Sequence, residues 1–287
     1  MKRNLNYLAD VAMTGLAPAV WGSTYYVTTQ FLPQGYPMHV AMLRALPAGL
    51  LLLLLVRQLP TGIWWGRTFI LAALNFAFFW VMLFVAAYRL PGGVAATVGA
   101  VQPLIVIGLS RIYLGRPIRA LTVMAGVVGI VGVAFLVMTP QAALDPVGVA
   151  AAFAGAVSMA FGTVLARKWQ PPVSSLTFTA WQLAAGGLML VPIALFFEPA
   201  LPPLTSVNLL GLAYLGLFGA ALTYLLWFRG LARIEPSVAA SLGFLSPVTA
   251  TLLGWLALGQ NLSPAQIAGF VMVLSSVWLS QKSQAPK

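Results

Sequence analysis

The chain reads as an all-α membrane protein of ten transmembrane helices, built as two inverted five-helix repeats around a central cavity. Three observations lead there. Of its 287 residues, 61% are hydrophobic and 7% charged, with a mean hydropathy of +0.95. No ordinary soluble fold of this length hides so much apolar surface. The chain also resembles itself. Residues 89–115, RLPGGVAATVGAVQPLIVIGLSRIYLG, align with residues 233–259, RIEPSVAASLGFLSPVTATLLGWLALG, at a constant offset of 144. Arg89 meets Arg233, Gly99 meets Gly243, Pro103 meets Pro247 and Gly115 meets Gly259. Finally, the basic residues gather at alternate ends of the apolar stretches.

A bilayer core of about 30 Å needs roughly 20 apolar residues per helix, and turn signals divide the chain accordingly. The first span, 7–31, ends at Pro33-Gln34-Gly35. Its Lys2-Arg3 start and Ala17-Pro18-Ala19 imitate a signal peptide. The apolar run continues past that point, and Val20-Trp21-Gly22-Ser23 parallels Ala160-Phe161-Gly162-Thr163, so the span is read as retained. The second span, 36–56, closes at Pro60-Thr61-Gly62, and the third, 68–88, at Pro91-Gly92-Gly93. The fourth, 92–113, stops before Arg116-Pro117, and the fifth, 120–138, before Pro140. In the second half, spans 146–166 and 175–197 are bounded by Pro171-Pro172 and by the stretch from Pro199 to Pro203. Spans 207–228, 237–257 and 264–280 are separated by Glu235-Pro236 and Ser263-Pro264. The alternating strands of a β-barrel are absent.

The repeats are assigned to residues 1–140 and 141–287. Five spans is an odd number, so the second repeat enters the membrane upside down, about a pseudo-two-fold axis in the membrane plane. Earlier in each half the offset shrinks slightly, and Arg44 falls opposite Gln182.

The net charge of +11 is explained by position. With the N-terminus inside, Lys2, Arg3, Arg57, Arg67, Arg111, Arg116, Arg119, Arg167, Lys168, Arg229, Arg233, Lys282 and Lys287 lie on the cytoplasmic side, and Arg89 alone flanks a span outside. That asymmetry places both termini in the cytoplasm of a bacterial-type inner (plasma) membrane. It argues against a nucleic-acid partner and for contact with membrane lipids. With no cysteine, one histidine and four acids, neither a metal site nor another cofactor is expected. No Walker sequence is present, and no membrane-depth Ser/His/Asp set or carboxylate pair points to an enzyme.

The five-plus-five repeat, the Trp21-Gly22 helix and the Pro103 and Pro247 helices resemble the drug/metabolite transporter superfamily, EamA type, over nearly the whole chain. Within it the chain is most similar to the YddG-type aromatic amino-acid exporters. The resemblance implies a ten-helix fold with a central cavity, lined by the first, third, fourth, sixth, eighth and ninth helices with the second and seventh beside them. It also implies export of amino acids and related metabolites.

Few polar residues lie within the spans, and polar groups in hydrocarbon usually face the bundle interior. The substrate-binding candidates are Trp21, Ser23, Tyr25, Arg44, Asn75, Phe79, Trp80 and Gln102 from the first half. The second half adds Thr163, Trp181, Gln182, Tyr224, Ser241, Phe244 and Ser246. Carboxamides offer both donors and acceptors, and the aromatics suit flat apolar substrates. Arg44 has two readings: a bidentate hold on a substrate carboxylate, or an anchor to backbone carbonyls. Pro103 and Pro247 each lack an N–H and free the carbonyl four residues earlier, at Gly99 and Gly243. These four residues are the gating candidates, against the alternative of ordinary membrane-helix kinks.

The four acids, Asp10, Asp145, Glu198 and Glu235, sit near span ends, so no buried proton relay is expected. The expectation is a secondary transporter that exports amino acids, aromatic or bulky apolar ones foremost, by facilitated alternating access. The alternative is a channel, or a lipid- or drug-translocating protein of the same fold.

Overall fold

The computed structural model describes residues 2–90, 92–137 and 145–284. The expected junction at 140/141, with Pro140, and the turn residue Pro91 lie outside the described residues, as does the side chain of Tyr25. Among the described residues there are ten helical rods. Helix α1 runs Lys2–Gly22 and continues, after a break at Ser23, as Thr24–Phe31. Helix α2 is Pro37–Val56. Helix α3 comprises Trp64–Ala72, a π-helical turn Ala73–Ala77 and Phe78–Arg89. Helix α4 is split into Gly92–Gly99 and Gln102–Leu114, and α5 is Ala120–Val137. The second half repeats the plan: α6 Pro146–Lys168, α7 Ser175–Phe197, and α8 with Ser206–Gly216, π-helical Leu217–Leu222 and Thr223–Arg233. It closes with α9, split into Pro236–Leu242 and Leu245–Leu258, and α10, Pro264–Gln284.

Among the described residues, eight rods are long and apolar enough to cross a membrane on their own. The first and last are not among them. Helix α1 is interrupted at Ser23 and carries Asn6 and Asp10, while α10 carries Gln266, Ser275, Ser276 and Ser280. Both are held by packing: α1 lies against α8 and α9, and α10 against α5.

The duplication is visible in the packing. Helices α2 and α7 cross at the centre of the most extensive interface, and α5 and α10 form the second. Gly49 and Gly187, which share the 138-residue offset of Arg44 and Gln182, are the points of closest approach. A Cβ on Gly49 would lie 2.6 Å from the Cα of Ala184, and one on Gly187 would lie 2.6 Å from the Cα of Leu46. Helix α3 packs on α6 as α8 packs on α1, and α4 packs on α6 as α9 packs on α1.

Both π-helical turns also fall at the 144 offset, Ala73 opposite Leu217. The widened turn removes a regular i→i−4 hydrogen bond and leaves a carbonyl for an outside donor. Helices α4 and α9 end alike, with left-handed glycines at Gly115 (φ 66°) and Gly259 (φ 65°). A side chain in that region is strained, which suits glycine as the helix stop.

One set of contacts breaks the two-fold symmetry. Gln102–Leu114 packs against Pro236–Leu242, at the end of the bundle that carries Arg116 and Glu235. The symmetry mate of that seam, Leu245–Leu258 against Gly92–Gly99, is not a comparable interface. Likewise Thr223–Arg233 and Pro236–Leu242 reach α6, whereas Phe78–Arg89 and Gly92–Gly99 do not reach α1 to a similar extent. Among the described residues, the repeats are therefore closed together at the Arg116 end and less closely packed at the opposite end.

Candidate substrate site

The core between the repeats is aromatic. Trp21 contacts Tyr224 (ring centroids 4.9 Å) and Trp227 (5.3 Å). Phe76 joins Trp80 (5.4 Å), Tyr224 (4.4 Å) and Phe228 (6.5 Å). Thus α1 and α3 supply three rings and α8 supplies three, all across the repeat boundary.

Arg44 enters this cluster from α2. Its guanidinium lies 4.9 Å from the centroid of the Trp80 ring, and Nη2 donates to the carbonyl of Gly219 at 2.7 Å. Gly219 lies in the widened turn of α8, which is why its carbonyl receives outside donors. Thr223 Oγ1 donates to the same carbonyl at 2.9 Å, and Trp21 Nε1 donates to Thr223 Oγ1 at 2.9 Å. Arg44 is only 9% exposed, and its Nε has no hydrogen-bond partner. None of the ion pairs among the described residues includes it.

The pseudo-symmetric position shows the same device with a neutral pair. Gln182 of α7 stands opposite Arg44, and Asn75 in the widened turn of α3 stands opposite Gly219. Asn75 Nδ2 donates to Gln182 Oε1 at 3.0 Å, and both residues are 0% exposed. Asn75 is wedged against the backbone of Gly162, where any Cβ would collide with its carboxamide.

The other candidates divide by location. Phe79, Gln102 and Ser246 are half-buried, beside the parted seam. Ser23 sits at the break in α1, donates to the Val20 carbonyl and pairs with the Tyr214 hydroxyl at 2.8 Å. Thr163 is fully buried, with its hydroxyl unpartnered. Ser241 donates to Val238 O within its own helix. Two aromatics are not brought to the cluster. Trp181 donates from Nε1 to Gln58 O, tying α7 to the turn after α2. Phe244 packs its ring on Gly129 of α5. Phe76 and Phe228, central to the cluster, were not among the sequence candidates; an apolar ring in an apolar helix carries no sign of which face it occupies.

The helix breaks fall one turn before the two prolines, at 100–101 and 243–244. Pro103 is buried and Pro247 half-buried. The chain tightens there through i→i−3 bonds, Val101 N to Val98 O and Phe244 N to Ser241 O. The Gly243 carbonyl, expected to be free, accepts from Ser246 N at 3.1 Å. Gly99 borders open space.

All four acids are engaged, three of them at helix ends and Asp10 within α1. Asp10 binds Arg229 (2.7 Å) and Arg233 (3.2 Å), Arg89 approaches Asp145 (3.6 Å), and Glu235 meets Arg116 (3.2 Å). Glu198 accepts from the backbone N–H groups of Met38 and His39 and contacts His39 Nδ1 at 2.8 Å, joining the start of α2 to the end of α7.

A duplicated ten-helix bundle with an aromatic centre narrows the field, and comparison with known proteins decides the family. The sequence model of the EamA-like transporter family matches residues 11–138 and, again, residues 146–281. The chain belongs to the EamA-like transporter family. This EamA-like chain is 48% identical to Protein PecM of Dickeya dadantii (strain 3937) over 267 residues, 92% of the chain and 90% of PecM. It is 30% identical to the uncharacterized inner membrane transporter YedA of Escherichia coli (strain K12), over 91% of the chain and 86% of YedA. A solved crystal structure superposes on 96% of the chain with a TM-score of 0.81, covering 98% of its own length; at 20% identity it shows the fold alone. The protein is thus a multi-pass membrane transporter and not an enzyme.

Proposed function

We propose that this EamA-like transporter exports amino acids with aromatic or bulky apolar side chains, in the manner of the YddG-type exporters, as a facilitator working by alternating access. The observation that carries the reading is Arg44: a buried guanidinium facing an aromatic cluster, with no acid to balance it and with Nε unbonded. Placing an arginine at membrane depth costs about 2.5–3.5 kcal/mol on insertion scales. A cation retained there without an acidic partner suits an anionic group supplied by the ligand. A substrate carboxylate would sit at Arg44, and its side chain among Trp21, Phe76, Trp80 and Tyr224. The amino-acid reading of the site requires both halves of that recognition.

No membrane-depth acid offers a coupling site, and the one-sided opening fits a carrier rather than a continuous pore. With the N-terminus in the cytoplasm, the parted seam faces outward. The inner membrane is the location that fits the basic asymmetry and the printed description of YedA. The test is uptake and counterflow in proteoliposomes, with radiolabelled amino acids, sugars and nucleosides, with and without imposed pH or sodium gradients. The expected result is saturable counterflow of aromatic amino acids with no gradient required. Non-saturating flux would favour a channel, lipid scrambling in the same vesicles a lipid translocator, and gradient-driven accumulation an ion-coupled carrier.

A further inference from the structure

At the sealed end lies a cavity, separate from the aromatic centre. It has a volume of about 60 Å3 and is lined by Ile107, Ser110, Arg116, Arg119, Glu235 and Ser237, with Pro117 and Thr122 at its margin. Such a volume holds about two waters, or one small oxyanion. Its charge balance is positive. Arg116 and Arg119 line it, Arg167 interacts electrostatically with both Arg116 and Glu235, and Glu235 is the single acid of the lining. Ser110, one of the lining residues, is 4% exposed, and its hydroxyl is buried with no hydrogen-bond partner. Thr122 Oγ1 pairs with Ser283 Oγ, and Arg119 Nη1 donates to Ser283 O, so α10 closes one side.

The other repeat provides an internal control. At the 144 offset, Ser110 becomes Gly254, Arg116 becomes Gln260 and Arg119 becomes Ser263. The backbone is the same in both: Arg116 N donates to Ser110 O at 3.2 Å, and Gln260 N to Gly254 O at 3.1 Å. In the second repeat, however, the Gln260 carboxamide lies over Gly254, 2.5 Å from where a Cβ would stand. In the first repeat Arg116 turns away to Glu235 instead, and the space above Ser110 is left open. The duplication therefore does not impose this cavity. It arises from three residues that differ between the repeats, two of them arginines.

We propose that this cavity binds a phosphate-type oxyanion, held by Arg116, Arg119 and the Ser110 hydroxyl. Its source is either the headgroup of an anionic lipid or free inorganic phosphate. Arginine forks match phosphate oxygens, and a hydroxyl donor completes the shell. Ser110 and both arginines belong to the first repeat and Glu235 and Ser237 to the second, so the site lies on the sealed seam, where the anion competes with Glu235 for Arg116. The site is independent of the substrate assigned to the aromatic centre.

The experiment is thermal unfolding of the purified protein in phosphatidylcholine nanodiscs, with chloride at matched ionic strength as control. One arm adds inorganic phosphate and the other incorporates phosphatidic acid. Wild type should gain several degrees in at least one arm, which identifies the source. Arg116→Gln/Arg119→Gln should lose that gain, with at least tenfold weaker apparent binding. Should that double variant fail to fold, Ser110→Val, which fills the cavity and keeps both arginines, must lose the gain instead. A wild-type midpoint indifferent to both additions, or an undiminished gain in the variant that folds, overturns the site.

Discussion

Arg44 and Gln182 occupy equivalent positions and meet equivalent partners, Gly219 and Asn75, in the two widened turns. One pair is charged and leaves Arg44 Nε unbonded; the other is neutral, lies against Gly162 and leaves Asn75 Oδ1 unbonded. On the function proposed above, the first pair recognises substrate and the second positions the helices. Arg44→Lys should weaken transport of free aromatic acids about tenfold or more, since a point charge does not replace a planar fork, while amino-acid esters should lose less. Concentration-dependent uptake in vesicles checks this, and unchanged uptake would return Arg44 to an anchoring role. Asn75→Ala should lower stability by about 1–3 kcal/mol by stranding the Gln182 carboxamide, read as a lower unfolding midpoint in detergent. Membrane-depth polarity made Arg44, Asn75 and Gln182 legible in the sequence. The pairing of Asn75 with Gln182 was not, because partners 107 residues apart leave no local pattern. Trp181 and Phe244 show the same limit: both turn inward, but nothing local says which partners a buried aromatic meets.

The elements carry the repeat in their irregularities. Breaks in α4 and α9, widened turns in α3 and α8, and the paired glycines of α2 and α7 recur at matched positions. The proline and glycine matches in α4 and α9 could be read from the aligned residues. The π-helical turns could not: neither ALNFA nor LFGAAL contains a proline, and the glycine of the second, Gly219, has Asn75 at its place in the first. The crossing of α2 on α7 leaves no room for a side chain. Gly49→Ala and Gly187→Ala should each cost about 1–3 kcal/mol through overpacking, and by similar amounts. Their combination should be less than additive, because both relieve the same crossing. Unfolding midpoints of the three variants test this, and a neutral Gly49→Ala would mean that the helices separate freely.

At the scale of the molecule, the inverted repeat supplies two seams, and among the described residues one is closed and the other is less closely packed. The odd span count made the inversion legible; which seam is shut was not, because the Arg116–Glu235 pair across it joins residues far apart in sequence. Exchange of the closed seam for its mate is the account's central claim, since it turns a static bundle into a carrier. The chain has no cysteine, so introduced labels are the only ones. Two mated pairs of positions report the two ends: Tyr113 with Arg233, and Ala257 with Arg89. Pulsed electron paramagnetic resonance distances between spin labels at each pair, in liposomes with and without a transported amino acid, test the claim most directly. The account predicts two populations at each end and opposite changes, one pair lengthening as the other shortens. Single fixed distances at both ends, or two pairs that lengthen together, would contradict it.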